Sequence, residues 1–258
     1  DMLPLPILPP PPQITPILET TLSQYGKKKK NKKRKYVPAK LLLDQKEPLN
    51  AERLYKLLEK SAESISMNSY YYLHNTINRL TGTTEGPTGL FVTTELYIKN
   101  EEGDTNNTHT VLDIYVVSTL SLEQVKLLVK NALQYGYGAD ASTGKGWIEV
   151  GGIEEITFPA TGNRFMSLGP FIFSDIERTQ VPIEDFFYEL FIRKGKLGAE
   201  FVPIYNPFKK PILLYREGST FSLPENKPVI GMLLYNVHTE PFIRHSAHAP
   251  ILPLKVEV

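Results

Sequence analysis

Four glycines fall within the eleven residues GYGADASTGKG at 136–146, and the patterns on either side of them constrain the fold more than any other stretch. Upstream, Ser121 opens the clearest helical pattern. It is a cap residue, followed by Glu123 and Gln124 in the first turn and by Val125, Leu128, Val129, Ala132 and Leu133 at helical spacing. Downstream, WIEV at 147–150 reads as a short strand. Ahead of the helix, VLDIYVVS at 111–118 alternates, with Leu112, Ile114 and Val116 on one side and Asp113 and Tyr115 on the other, which predicts one buried face. The order is strand, helix, glycine loop, strand.

Elsewhere the signals are of two kinds. AERLYKLLEK, with Leu54, Leu57 and Leu58 on one face and Asn50 as N-cap, predicts a helix to about Ser61. The segments at 66–75 and 90–99 are rich in strand formers, and Gly82, Gly86, Pro87 and Gly89 punctuate the chain between them. That is a long hairpin with a flexible tip, followed by a polar turn at 101–110. Beyond about 161 strand follows strand (164–173, 186–193, 211–216, 229–237 and 251–258) with no strong helix. The expected class is α+β, with a first domain at 1–160 and a strand-rich second domain at 161–258.

Residues 1–48 read as extended and loop-like: a proline-rich lead (Pro4, Pro6, Pro9–Pro12, Pro16), a basic run, and an extended exit at 36–38. The run from Lys27 to Lys35 puts eight positive charges in nine positions. The chain holds 29 basic and 28 acidic residues in all, so outside the run acid exceeds base by seven. A run so dense repels itself and is ordered by an anion such as phosphate. A solvated loop, a nucleic-acid contact and a targeting or interface role all remain open for it.

Composition removes several functions. With no cysteine there are no disulfides, thiolate zinc sites or cysteine nucleophiles, and a reducing, cytoplasmic setting is the expectation. No apolar run approaches the roughly 18 to 20 residues of a membrane helix, and DMLPLPILPPPP has proline where a signal peptide needs a helical core. Neither membrane nor export is indicated.

In the glycine loop the backbone can turn freely, and its N–H groups can approach an anion with no Cβ in the way. Ser142 and Thr143 add hydroxyls and Lys145 a point charge, a set suited to a phosphodiester. A nucleotide P-loop does not fit. Five residues separate Gly138 from Gly144 where four are needed, Gly146 stands where a magnesium-binding Ser or Thr belongs, and the order runs from helix to strand. A plain glycine turn is the competing reading.

Other candidates carry less. His245 and His248 lie three apart, on opposite faces of a strand, with no cysteine and no H-E-x-x-H, so no metal site and no cofactor are expected. His74 stands at the foot of the hairpin before Asn75, Asn78 and Arg79, where it would need a partner to act as acid or base. Asp113 has no paired carboxylate or histidine, no G-x-S-x-G is present, and Tyr70–Tyr72 offer rings on which bases could stack.

Taken together, HNTINRLTGTTEGPTGLF (74–91), YGYGADASTGKGWIEV (135–150), KGKLGAEF (194–201) and NPFKKPILLYREGSTFS (206–222) resemble the fourth subunit of the type III-A CRISPR Csm effector complex. VIGMLLYNV and HSAHAPILPLKV near the end are similar too, and the likeness spans about 70–258. It implies the RAMP architecture of two ferredoxin-like domains, with the glycine loop after the second helix of the first. It also implies a non-catalytic subunit that holds the 5′ handle of the CRISPR RNA and joins backbone RAMP subunits to the large polymerase-cyclase-like subunit. By the same resemblance Gly136, Gly138, Ser142, Thr143, Gly144, Lys145 and Gly146 would contact handle phosphates. His74, Asn75 and Arg79 would lie near RNA, the hairpin about 78–92 would be the family's thumb, and Lys196, Lys209 and Lys210 would touch RNA or a subunit. The family's N-terminal strand and helix have no counterpart ahead of Asp1, so the first domain is expected to lack them, and the basic run exceeds the family pattern. The alternative is a metal-independent CRISPR RNA-processing endoribonuclease of the same superfamily, using His74.

Overall fold

The computed structural model describes residues 2–9, 34–61, 65–84, 89–100, 111–138, 141, 144–197 and 206–257. Several sequence expectations lie outside them: the basic run up to residue 33, the prolines from Pro10 to Pro16, the hairpin tip at 85–88, the turn at 101–110, and Ser142 and Thr143.

Along the chain come β1 (Met2–Pro4), β2 (Tyr36–Pro38), α1 (Ala39–Leu43), α2 (Ala51–Lys60), β3 (Ile65–Asn75), β4 (Leu90–Asn100) and α3 (Leu122–Leu133). After them come β5 (Arg164–Ser167), α4 (Asp175–Gln180), β6 (Leu190–Arg193), β7 (Ile212–Tyr215), β8 (Thr220–Phe221), β9 (Val229–Leu234) and β10 (His245–Leu254). The class is α+β with small antiparallel sheets. The largest has the order β8-β5-β10-β9, and β1–β2, β3–β4 and β6–β7 form two-stranded ribbons.

β10 organises the core. Its first half pairs with β9, from His245 opposite Leu234 to Pro250 opposite Val229, and its second half pairs with β5, Ile251 opposite Ser167 through Leu254 opposite Arg164. Side chains alternate across a strand, so Ala249 and Ile251 join an aromatic cluster with Phe165, Phe171, Phe173 and Phe221. Leu252 and Leu254 face the other way, into a cluster with Met166, Leu3, Val37, Leu42, Leu54 and Leu58. A sheet covered on both faces explains why this end of β10 is continuously apolar while HSAH at its start is not. The second cluster draws residues from both sides of position 160.

Within the described part of 1–48 the extended exit at 36–38 is β2, and the loop-like expectation is corrected at β1 and α1. Leu3 pairs with Val37 and both are buried, and a short helix, α1, follows. The spacing of Pro4 and Pro6 explains how the start of so proline-rich a segment can be held against its neighbours. Pro4 and Pro6 lack N–H groups, but Leu5 donates to the Lys35 carbonyl at 2.9 Å and Ile7 to that of Gly218 at 2.8 Å. The segment is stitched down through the residues between its prolines.

The two expected helices form where their caps lie. Asn50 accepts from the Arg53 N–H at 2.8 Å, and Leu54 and Leu58 bury one face of α2. Ser121 and Gln124 close a reciprocal capping box on α3. Of the apolar stripe on α3 only Val125 is buried, whereas Val129 and Leu133 are half-buried and Leu128 and Ala132 are exposed. Nor do 111–118 and 147–150 form the expected strands. Among the described residues neither has a ladder partner, and Leu112, Ile114 and Val116 are exposed while Tyr115 is the half-buried side chain, beside Phe158. Alternation alone does not make a strand without a neighbouring edge to pair with. In the strand-rich half the unexpected element is α4, six residues held by a Ser174–Glu177 capping box. The segment expected at 186–193 narrows to β6, and the last strand begins at His245, ahead of the expected 251.

Candidate functional site

The glycine loop is built on its backbone. Gly136, at φ +88°, ends α3 with its N–H on the Leu133 carbonyl at 2.9 Å, and the Tyr137 N–H on the Gly146 carbonyl at 2.8 Å closes the loop at its neck. Between them, Ala141 donates to Gly138 at 3.4 Å and Gly144 to Ala141 at 3.0 Å. The four glycines share positive φ but differ in surroundings. A Cβ on Gly146 would lie 1.9 Å from the Tyr137 carbonyl oxygen, and one on Gly136 would lie 2.9 Å from that of Lys145. Around Gly138 and Gly144 the space is open. Thus two glycines permit the close neck and two supply only the turn.

The closed neck projects Lys145 onto the long hairpin. β3 and β4 pair over eleven residues each, with Tyr70 opposite Glu95, Tyr72 opposite Thr93 and His74 opposite Phe91. The ladder continues past the strands, from the Thr76 N–H to the Gly89 carbonyl at 2.7 Å and through an Ile77–Thr84 bridge. Lys145 pairs with the Glu95 carboxylate, its ammonium lying 5.9 Å from the Tyr72 ring centre. Glu95 also accepts from the Tyr97 hydroxyl at 2.9 Å, and Tyr97 meets Tyr70 edge-on at 5.1 Å. Hydrogen bonds from Lys145 and then Tyr97 hold the Glu95 carboxyl below the usual range. The Tyr97 phenol is pushed well above its own by hydrogen bonding with Tyr72 and by Glu95.

His74 belongs to the same face. It is half-buried, stacked on Phe91 at 5.2 Å and 16°, with Nε2 2.8 Å from the Thr93 hydroxyl. Asn75, one residue on, falls on the opposite face, and Arg79 is exposed in the turn beyond the strands, where Asn78 accepts from the Leu80 N–H at 2.9 Å. The structure therefore brings Lys145 and His74 onto one surface and leaves Asn75 and Arg79 off it.

Lys196, Lys209 and Lys210 lie together on a second surface. Lys196 bridges to Phe208, the Lys209 N–H donates to Gly195 at 2.8 Å, and Lys196 and Lys210 are exposed. Lys209 is turned inward, its ammonium donating to the Arg244 carbonyl at 2.6 Å, and burial followed by the charge of Arg193 lowers its pKa. Burial, with Lys209 and Arg193, likewise lowers that of His245. His248 contacts the Ser246 hydroxyl at 3.0 Å. Among the described residues no three of His, Asp and Glu are grouped as metal ligands, and no helix is long and apolar enough to cross a membrane.

Sequence reasoning missed Glu95, Thr93 and Tyr97. Their signal was the strand alternation of LFVTTELYIK, but using it required the hairpin register, and the Lys145–Glu95 contact spans 50 residues. No protein-family model matches the chain, and no curated protein matches it.

Proposed function

We propose that this chain is a non-catalytic RNA-binding scaffold subunit of a type III-A CRISPR interference complex, built on tandem ferredoxin-like domains. In this role it holds the 5′ handle of the CRISPR RNA and bridges backbone RAMP subunits to the large polymerase-cyclase-like subunit. The observation that carries the reading is the meeting of two motifs far apart in sequence. The backbone-closed glycine loop lays Lys145 against the hairpin face that holds His74, so an ammonium, exposed loop backbone and aromatic rings converge on one surface. Such a surface suits the phosphates and bases of a single strand. The exposed apolar side chains of α3 and of 111–117 suit a protein that works against partners.

The test is a salt titration of binding to CRISPR repeat RNA in EDTA. Lys145→Ala is expected to weaken binding and to make the log–log salt slope shallower by about 0.7, one phosphate on a single strand. Affinity independent of salt would refute phosphate contact. Specific cleavage of the RNA that disappears in His74→Ala would replace the scaffold reading with the endoribonuclease.

A further inference from the structure

The two faces of the β3–β4 hairpin differ in chemistry. Leu73, Val92 and Leu96 make one face largely aliphatic and exposed, with Tyr71 as its one ring. The other carries three tyrosines with polar neighbours. Tyr70, Tyr72 and Tyr97 are 43%, 42% and 45% exposed, so each keeps a large part of its surface open beside the glycine loop, whose Lys145 ammonium reaches the Tyr72 ring. Rings that keep so much surface beside an ammonium and hydroxyls are poorly matched to an aliphatic protein partner. They match a flat, polar-edged π system followed by an anion.

We infer that this face is a nucleotide subsite, in which a phosphate displaces Glu95 from Lys145 and the attached base stacks on the Tyr70–Tyr72–Tyr97 group. The inference rests on the RNA reading above and adds the occupant of this face and a competitor within the chain. Without RNA, Glu95 neutralises Lys145 and takes the Tyr97 hydroxyl, which ties the loop to the strand. Phosphate and carboxylate compete for the same ammonium, so Glu95 sets how strongly the loop holds a strand. Only an unpaired base can reach such rings, which restricts the ligand to a single strand.

The experiment compares oligouridylate with an abasic ribose–phosphate chain of equal length, both offered to the full chain. The two carry the same phosphates and differ only in bases. Oligouridylate is expected to bind about fivefold tighter or more, the lower end of aromatic–base stacking. In Tyr97→Leu and Tyr72→Leu that preference shrinks towards one while the salt slope is kept, and Glu95→Gln tightens binding of both ligands. Equal affinities of the unsubstituted chain for the two ligands, with the salt dependence intact, would overturn the subsite and leave RNA binding standing. So would weaker binding by Glu95→Gln overturn the exchange. Absence of salt-dependent binding to either ligand would overturn both readings.

Discussion

At the scale of single residues, the buried polar groups show how far chemistry is set by neighbours. Glu177 is buried, yet it accepts from Lys227 at 2.6 Å, from the Ser174 N–H at 2.9 Å and from the Gly231 N–H at 3.0 Å. Burial alone would raise its pKa, but these hydrogen bonds and the Lys227 charge outweigh it and hold the carboxyl below its ordinary value of 4.5. A depressed carboxyl contributes stability that is present above the unfolded value and is lost as pH falls through the folded one. Glu177→Gln is therefore expected to be less stable than the unsubstituted chain at neutral pH, with the difference closing below about pH 4.5. Urea midpoints across that range check it. His238 is similarly pinned. Its Nε2 donates to the Asn206 carbonyl at 2.7 Å and its Nδ1 accepts from the Glu240 N–H at 3.0 Å, which defines one neutral tautomer. Nothing in the bare sequence separates this buried histidine from exposed His248. The sequence reading passed over the Ser174-x-x-Glu177 box and expected no strong helix there, and the fold shows both the box and that its glutamate ties α4 to β9.

At the scale of elements, local rules held where a local group completes them. The caps at Asn50 and Ser121 mark the starts of α2 and α3 because each side chain satisfies an N–H three residues on. The hairpin was equally legible, from two runs of strand formers around a glycine-punctuated tip. The glycine loop was readable as a turn, though not in the division of labour among its glycines. Gly146→Ala is expected to cost roughly 1–3 kcal/mol, because it adds a Cβ 1.9 Å from the Tyr137 carbonyl to a residue at φ +67°. Gly138→Ala meets open space and carries only the backbone strain of its φ of +109°, about 1–2 kcal/mol without a clash. Thermal or urea unfolding of the two variants should rank Gly146→Ala as the more damaging, and equal costs would show that the neck is not closed as described. The failures at 111–118 and 147–150 have one cause. A strand is defined by its partner, and alternation reports only that a strand would be amphipathic.

At the scale of the molecule, β10 and the proline-rich lead hold the described core together. Leu252 is fully buried in the cluster that joins β1, β2, α1 and α2 to the main sheet. Leu252→Ala is expected to cost about 2–5 kcal/mol, and since the cavity touches segments from both ends of the chain, fluorescence and circular dichroism should report one shared loss of midpoint. Separate transitions would mean that the N-terminal segment is an independent unit. By itself the sequence determined what depends on neighbours a few residues away: the starts of α2 and α3, the hairpin, the turn-forming glycines, the absence of cysteine and the uneven charge. The tertiary structure alone decided that Met2–Pro4 at the start of the proline-rich lead is a paired, largely buried strand, that the stripe on α3 is mostly uncovered, and that Lys145 meets Glu95 and Tyr72. Those outcomes depend on pairing and packing between residues tens to hundreds of positions apart, and no local periodicity encodes which distant edge or ring a segment will meet.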